Sequence, residues 1–418
     1  MSDRIFRGAL TVTFAGAAVL YALQVFTPLR LTTDGIAYLS LADSATRNGL
    51  WSALRQPDFP FPKGYPVFLF LIMKGGLFSS AILVISNLTL FALGLFFAFR
   101  TLLALNFERL HAEVACLLTI LSFASVKHIS QGMSDFLFFA LSACVCWLLT
   151  LKHPYRWFGI ILCTPAAIEV RFVGLALVAP ILAVALSSVR RTTVAIAIAL
   201  GIAVAMVSAG LMAGHHYLLN FTKTLENTGW WQLAGSSVTA HFQDFGELFA
   251  NLPLSKIPSQ LRAPVLLLGC VAWVVFLVGL IALRKRSVWL CFYLVAYSIL
   301  VLPWPYTDPR FWIPVLPFII LSLSDGLVLL WGHTPRGLVV AYAMVFSIFG
   351  FVALGYSTKL TFAGQRFAEQ YGDGRLTNAY LSRCNTDTAP GENEALALLQ
   401  RYEWHCKSSE VRSTLPAN

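Results

Sequence analysis

The chain has 418 residues, of which 57% are hydrophobic and only 12% charged, about half the charged share of an ordinary soluble domain. Apolar residues recur along almost the whole length, with a mean hydropathy of +0.71, which excludes a soluble globular protein, a disordered chain, a secreted disulfide scaffold and a single-anchor protein. The 30 Lys and Arg against 20 Asp and Glu, a net charge of +10, would suggest nucleic acid in a soluble domain, but in a membrane chain they are first a topology signal.

Apolar stretches of about 20 residues fall near 8–28, 79–99, 112–127, 134–151, 157–170, 172–189, 193–214, 263–283, 288–304, 311–331 and 337–356, and predict an all-α bundle with eleven crossings. The run 64–78 (GYPVFLFLIMKGGLF) is apolar but short and holds Lys74 and two glycines. It reads as a re-entrant or juxtamembrane helix ahead of the second crossing, and a twelve-crossing count stays open. The first run lacks a small-residue cleavage site and is expected to stay in the mature protein. No fixed-period repeat or low-complexity tract interrupts the pattern.

With the N-terminus inside, Arg4, Arg7, Arg100, Arg109, Lys152, Arg156, Arg190, Arg191, Arg284, Lys285, Arg286 and Arg336 all fall in short inner loops or at inner helix ends. The positive-inside rule is thereby met at every inner turn. The remaining basic residues lie outside, mostly in the long segments 29–63, 215–262 and 357–418, to which the rule does not apply. The predicted organisation is a membrane domain over 1–356, with outer loops at 29–78 and 215–262, and a small extracytoplasmic tail over 357–418. The charge reports orientation, and no nucleic-acid partner is expected.

Cys116, Cys144, Cys146, Cys163, Cys270 and Cys291 lie within spans, where a thiol behaves as a small apolar group. Cys144 and Cys146 point to different helix faces and are poor metal ligands. Cys384 and Cys406 fall in the outer tail, where disulfides persist, and are expected to pair.

Charges at the edge of a bilayer are costly and mark candidate functional groups. Three short outer turns carry them: KHISQGMSD (Lys127, His128, Asp135), EVRF (Glu169, Arg171) and PWPYTDPRFW (Tyr306, Asp308, Arg310). The first outer loop adds Asp34 in LTTDGIAYLSLADSATRNG. Charges from four parts of the chain would thus converge at one depth. Two readings compete. Glu169 with Arg171 and Asp308 with Arg310 could be local ion pairs, Lys127 could snorkel, and Asp34 could cap a helix closed at Asn48-Gly49. Alternatively the groups form one site for an anionic ligand. Arginine binds a phosphate through a planar fork, and Lys127 would add a compact cation. Asp34 would then face the reacting headgroup as a general base or metal ligand.

In order and spacing these residues resemble the polytopic GT-C glycosyltransferases that use polyprenyl-phosphate sugars, which include the dolichyl-phosphate-mannose protein mannosyltransferases and the bacterial lipid A aminoarabinose transferase. DGIAY (Asp34, Tyr38) is similar to the family's first-loop acid, FPFPKGYPVFLFLIMK (59–74) to the approach to its second span, and QGMSDFLFFALSACVCWLL (131–149) to its fourth span. RFVGLALVAPILAVAL (171–186) and DPRFWIPVLPFIILSLSDGL (308–327) are similar to later spans that open with Arg. The likeness covers about residues 1–330. Where the protein mannosyltransferases have two adjacent acids, Asp34 is followed by Gly35, and Asp43 would face the other side of its helix. A divalent metal is therefore left open.

The resemblance implies sugar transfer, with inversion, from a polyprenyl-phosphate donor to a lipid, glycan or protein acceptor at the outer face of a bacterial inner membrane, in contact with membrane lipid. Asp34 would be the base, and Arg171, Arg310 and Lys127 would hold the donor phosphate. Tyr38, His128, Asp135, Tyr306 and Asp308 would surround the substrate. Trp230 and Trp231, with His241 nearby, would stack on a sugar or, equally, belong to the interfacial aromatic belt. The rival readings are a transporter or flippase of a lipid-linked or anionic substrate, and a non-catalytic membrane scaffold.

Overall fold

The computed structural model describes residues 3–56, 59–188, 229–332, 336–371, 374–383 and 393–403, together with 222 and 225–227. Every regular element among them is a helix, and the strand-type pairing they show is an isolated bridge between Arg30 and Gln131. The described helices Gly8–Phe26, Ser80–Ala104, Ser259–Arg286, Pro309–Trp331 and Gly337–Thr361 are long and apolar enough to cross a membrane. Asp135–Thr150, Phe172–Ser187 and Val288–Val301 are apolar and shorter. The chain is an all-α polytopic membrane protein, as its hydropathy requires. The expected span over 193–214 and the expected Cys384–Cys406 disulfide lie outside the described residues.

In chain order the bundle starts with α1 (Asp3–Leu23), leaves the apolar layer through an extended stretch, and forms α2 (Thr33–Asn48) and α3 (Leu50–Leu54). Gly49 joins these two at φ +88°, a conformation that disfavours a side chain. Next come α4 (Gly64–Lys74) and α5 (Ser80–Ala104). The run 64–78 is therefore a short separate helix followed by a turn. Gly64 lets the start of α4 lie on the backbone of Glu169 and Val170, where a Cβ would meet the Glu169 carbonyl at 2.7 Å.

The span expected over 112–127 is broken into α6 (Arg109–Ile120) and α7 (Phe123–His128). An interrupted helix leaves backbone groups without intrahelical partners, which is costly away from water. Asn251 supplies the missing partners. Its side-chain oxygen accepts from Phe123 N at 2.7 Å, and its amide donates to Leu121 O at 2.9 Å and Phe346 O at 2.8 Å.

Then follow α8 (Asp135–Thr150), α9 (Arg156–Val170), a 3-10 turn Phe172–Leu177 and α10 (Val178–Ser188). Beyond the next described stretch come α11 (Trp230–Ala250), α12 (Arg262–Arg286) and α13 (Val288–Val301). A 3-10 segment Pro309–Val315 leads into α14 (Leu316–Trp331), and α15 (Arg336–Thr361) follows. The C-terminal segment adds α16 (Phe367–Tyr371), α17 (Gly374–Ser382) and α18 (Glu394–Tyr402), whose Phe367, Tyr380 and Leu396 join the hydrophobic core of the bundle.

Candidate functional site

Four chain reversals meet at one end of the bundle. Asp34 comes from the first turn of α2, Asp135 from the first turn of α8, Arg171 from the residue after α9, and Arg310 from the 3-10 segment before α14. With Tyr38, Met133, Tyr297, Trp304, Tyr306 and Phe311 they line a cavity of about 320 Å3. The sequence-derived expectation that separate turns converge holds for these residues.

The pairing differs from the local one weighed from sequence. Arg310 donates to Asp34 Oδ2 at 2.6 Å, and Arg171 donates to the buried Asp135. The charge facing Glu169 is Lys63, and Glu169 and Arg171 do not pair with each other. Asp34 is not a cap either: Thr32 caps α2, its hydroxyl accepting from Gly35 N at 3.0 Å. The Asp34 carboxylate is thus left for Arg310. Asp308 does act locally, capping the 3-10 segment by accepting from Arg310 N at 2.9 Å and facing Arg310 Nε at 3.7 Å.

The two guanidiniums flank one ring, Arg171 at 5.0 Å and Arg310 at 5.4 Å from the centroid of Phe311. Cation–π contact of this kind holds both cations at the cavity wall without neutralising them. One Asp135 carboxylate oxygen and Arg310 Nε are buried without a hydrogen-bond partner. Such atoms are costly to leave unpaired. Tyr38 packs edge-on to Tyr65 at 5.2 Å and tilted on Phe61 at 5.1 Å, so an aromatic wall stands beside Asp34.

Lys127, His128 and Asp308 do not line the cavity; Asp308 faces Arg310, His128 faces Asp308, and the exposed Lys127 acts on Asp308 by its charge. His128 is buried, with Nε2 3.5 Å from Asp308 Oδ1 and Nδ1 2.6 Å from Gln131 Oε1. Burial works against the charge of Asp308, but His128, Arg310 and Lys127 outweigh it and hold the carboxyl well below the ordinary carboxylate range.

Trp230 and Trp231 are exposed, Trp231 by 86%, and stand apart from the cavity. His241 is not free to stack on a sugar. It is fully buried, with Nδ1 3.0 Å from Asp244 Oδ2 and Nε2 3.2 Å from Trp304 O. The acids beside it, Asp244 and Glu247, were not singled out from sequence. The signal was HFQDFGE, in which His241, Asp244 and Glu247 recur every three residues and so share a helix face. Burial, with like charge from Asp244 and Asp308, pushes the Glu247 carboxyl up to about 7. Among the described residues no group of three or more His, Cys, Asp or Glu is arranged to hold a metal ion.

This all-α bundle, with a cavity at one end, has a counterpart among solved structures. Over 96% of its length the chain superposes on the crystal structure of ArnT from Cupriavidus metallidurans in the apo state, with a TM-score of 0.53 and 15% sequence identity over 85% of that chain. At that identity the likeness establishes the fold. No family model and no curated protein matches the sequence.

Proposed function

We propose that the chain is an integral-membrane glycosyltransferase that moves a sugar from a polyprenyl-phosphate donor to a hydroxyl acceptor at the outer face of a bacterial inner membrane, with inversion. The supporting observation is the pairing of Asp34 with Arg310 in a cavity that also holds Arg171 and Asp135. Arg310 and Arg171 are the donors for the lipid phosphate, which carries charge as it leaves. Each guanidinium is paired with a carboxylate, Arg310 with Asp34 and Arg171 with Asp135. A phosphate arriving at Arg310 takes its place on the fork and frees the Asp34 lone pairs.

The freed carboxylate then accepts the acceptor's hydroxyl proton. The acceptor oxygen bonds to the anomeric carbon from the face opposite the phosphate, and the bond to the phosphate oxygen breaks with its electron pair. Tyr38, Phe61, Trp304 and Tyr306 offer ring faces to the sugar within the same cavity. Lys127 and Asp308 act on the site through the field around Arg310.

The test is transfer from a defined polyprenyl-phosphate sugar by the purified protein, with the anomeric configuration of the product read by NMR. Inverted product supports the reading. Net movement of lipid-linked sugar across a vesicle membrane without new glycosidic product would replace it with a flippase.

A further inference from the structure

Between α1 and α2 the chain runs through Thr27–Thr32 without forming a helix, so its buried backbone groups must find partners elsewhere. The C-terminal segment provides them. Leu29 N donates to Glu403 Oε2 at 2.7 Å, and Leu31 N donates to the Tyr380 hydroxyl at 2.8 Å. That hydroxyl in turn donates to Leu29 O at 2.9 Å, and the Tyr371 hydroxyl donates to Leu31 O at 3.1 Å. All four backbone polar groups of Leu29 and Leu31 are thus paired with side chains of α16, of α17 and of the residue after α18. Tyr380 and Glu403 are both fully buried.

A second contact acts further along α2. Asp43 accepts from Arg401 and, at 2.6 Å, from the Tyr402 hydroxyl, while Arg47 on α2 itself lies 2.7 Å away. The α2 helix is therefore held both just before its cap and in its third turn. Asp34 sits between those two points, three residues after Leu31.

We propose that the C-terminal segment is a positioning element of the site: Tyr380 and Glu403, acting through Leu29 and Leu31, and Arg401 with Tyr402, acting through Asp43, fix α2 so that Asp34 stays in register with Arg310. The consequence for turnover rests on the glycosyltransferase reading; the contact itself does not. A base has to be held within about 0.5 Å of its productive position, and a displacement of about 1 Å costs on the order of 100-fold in rate. A loop closed only by its own backbone would not supply that precision, because its polar groups would have no fixed partners.

The test uses the full chain in lipid nanodiscs, with Tyr380→Phe, Glu403→Ala and Glu403→Gln. Hydrogen exchange reads the contact directly, and steady-state kinetics with a polyprenyl-phosphate sugar reads its effect. In Tyr380→Phe and Glu403→Ala the amides of residues 29–36 should exchange about tenfold faster while those of α5 and α8 keep their rates. In the same variants kcat should fall at least about tenfold with the donor KM within about twofold. Glu403→Gln, whose amide oxygen still accepts from Leu29, should behave as wild type. Unchanged exchange at 29–36, or faster exchange with unchanged kcat, would overturn the proposal, as would equal loss in the Gln and Ala variants. A wild-type protein that transfers nothing would defeat the glycosyltransferase reading and with it the link to turnover, while the exchange arm would still decide whether the segment fixes α2.

Discussion

Arg310 and Asp34 are 276 residues apart in the chain and 2.6 Å apart in the fold. Neither is fully buried: their side chains are 15% and 27% exposed, so the pair is open to the cavity. In so largely buried a pair desolvation offsets much of the attraction, so the pair is weak evidence of stability. In the proposed function its significance is chemical, because it sets a carboxylate and the guanidinium fork proposed for the donor phosphate within one hydrogen bond of each other.

Asp34→Asn separates the proposed role of Asp34 as base from any role in the fold. Thr32 caps α2, and an Asn amide oxygen can still accept from Arg310, so the melting temperature should stay near wild type. Transfer should drop on the order of 100-fold or more, because the amide does not take the acceptor's proton. A folded variant that transfers at the normal rate would remove Asp34 from the mechanism.

The two arginines should respond alike to loss of the planar fork. Arg310→Lys and Arg171→Lys keep a cation but lose the fork, so the donor KM should rise and kcat should fall while the protein still folds. Arg171→Ala leaves the buried Asp135 without its partner and should cost about 3 to 5 kcal/mol, read as a loss of folded protein. Wild-type kinetics in both Lys variants would show that no bidentate contact is made.

The convergence of Asp34, Asp135, Arg171 and Arg310 was legible because each lies at the end of an apolar run, and alternating runs deliver their ends to one face. The partner of each was not. Hydropathy fixes depth along the membrane normal, whereas lateral neighbours depend on how helices pack, so the sequence offered the local pair Glu169–Arg171 and gave no sign of the observed Arg171–Asp135. The helix of α2 and its close at Gly49 were readable from turn chemistry, but its cap is Thr32, two residues before the Asp34 expected in that role. The break at Leu121–Ser122 left little mark, since LLTILSFASV interrupts its apolar run only with the small hydroxyls of Thr119, Ser122 and Ser125, and the residue that satisfies the break, Asn251, is 130 positions from Leu121.

Asn251 is accordingly a stability prediction. Its side chain makes three hydrogen bonds at the break, with Phe123, Leu121 and Phe346. Asn251→Ala would leave buried backbone groups unpaired and should cost on the order of 3 kcal/mol, with Asn251→Asp recovering part through the bond from Phe123 N. Equal melting temperatures for the Ala variant and wild type would mean that other groups or water satisfy the break.

Gly64→Ala tests how the arginine after α9 is placed. The new methyl would meet the Glu169 carbonyl carbon and oxygen at 2.7 Å, and both are backbone, so α4 or the end of α9 must move. Arg171 is two residues beyond Glu169. The variant should therefore fold with reduced stability and show a raised donor KM, whereas Gly49→Ala, with open space at its Cβ, should cost stability through its positive φ alone and leave KM unchanged. A normal KM in a folded Gly64→Ala protein would separate α4 from the placement of Arg171.

Glu247 should make the fold sensitive to pH near neutrality. Its carboxyl is raised from an ordinary value of 4.5 to about 7, first by burial and then by the like charges of Asp244 and Asp308, against which Lys127 acts. The folded protein therefore holds a proton that the unfolded chain releases, and stability falls as pH rises from about 4.5 through about 7. Asp308, held low, has the opposite sign: its contribution is present above the ordinary carboxylate range and is lost only on acidification below it. Between about pH 5 and pH 8 the two effects are thus separated, with Glu247 titrating and Asp308 already ionised. Across that window the melting temperature of wild type should decline more than that of Glu247→Gln, which cannot release the proton. Parallel declines in the two proteins would show that Glu247 is already ionised at pH 5.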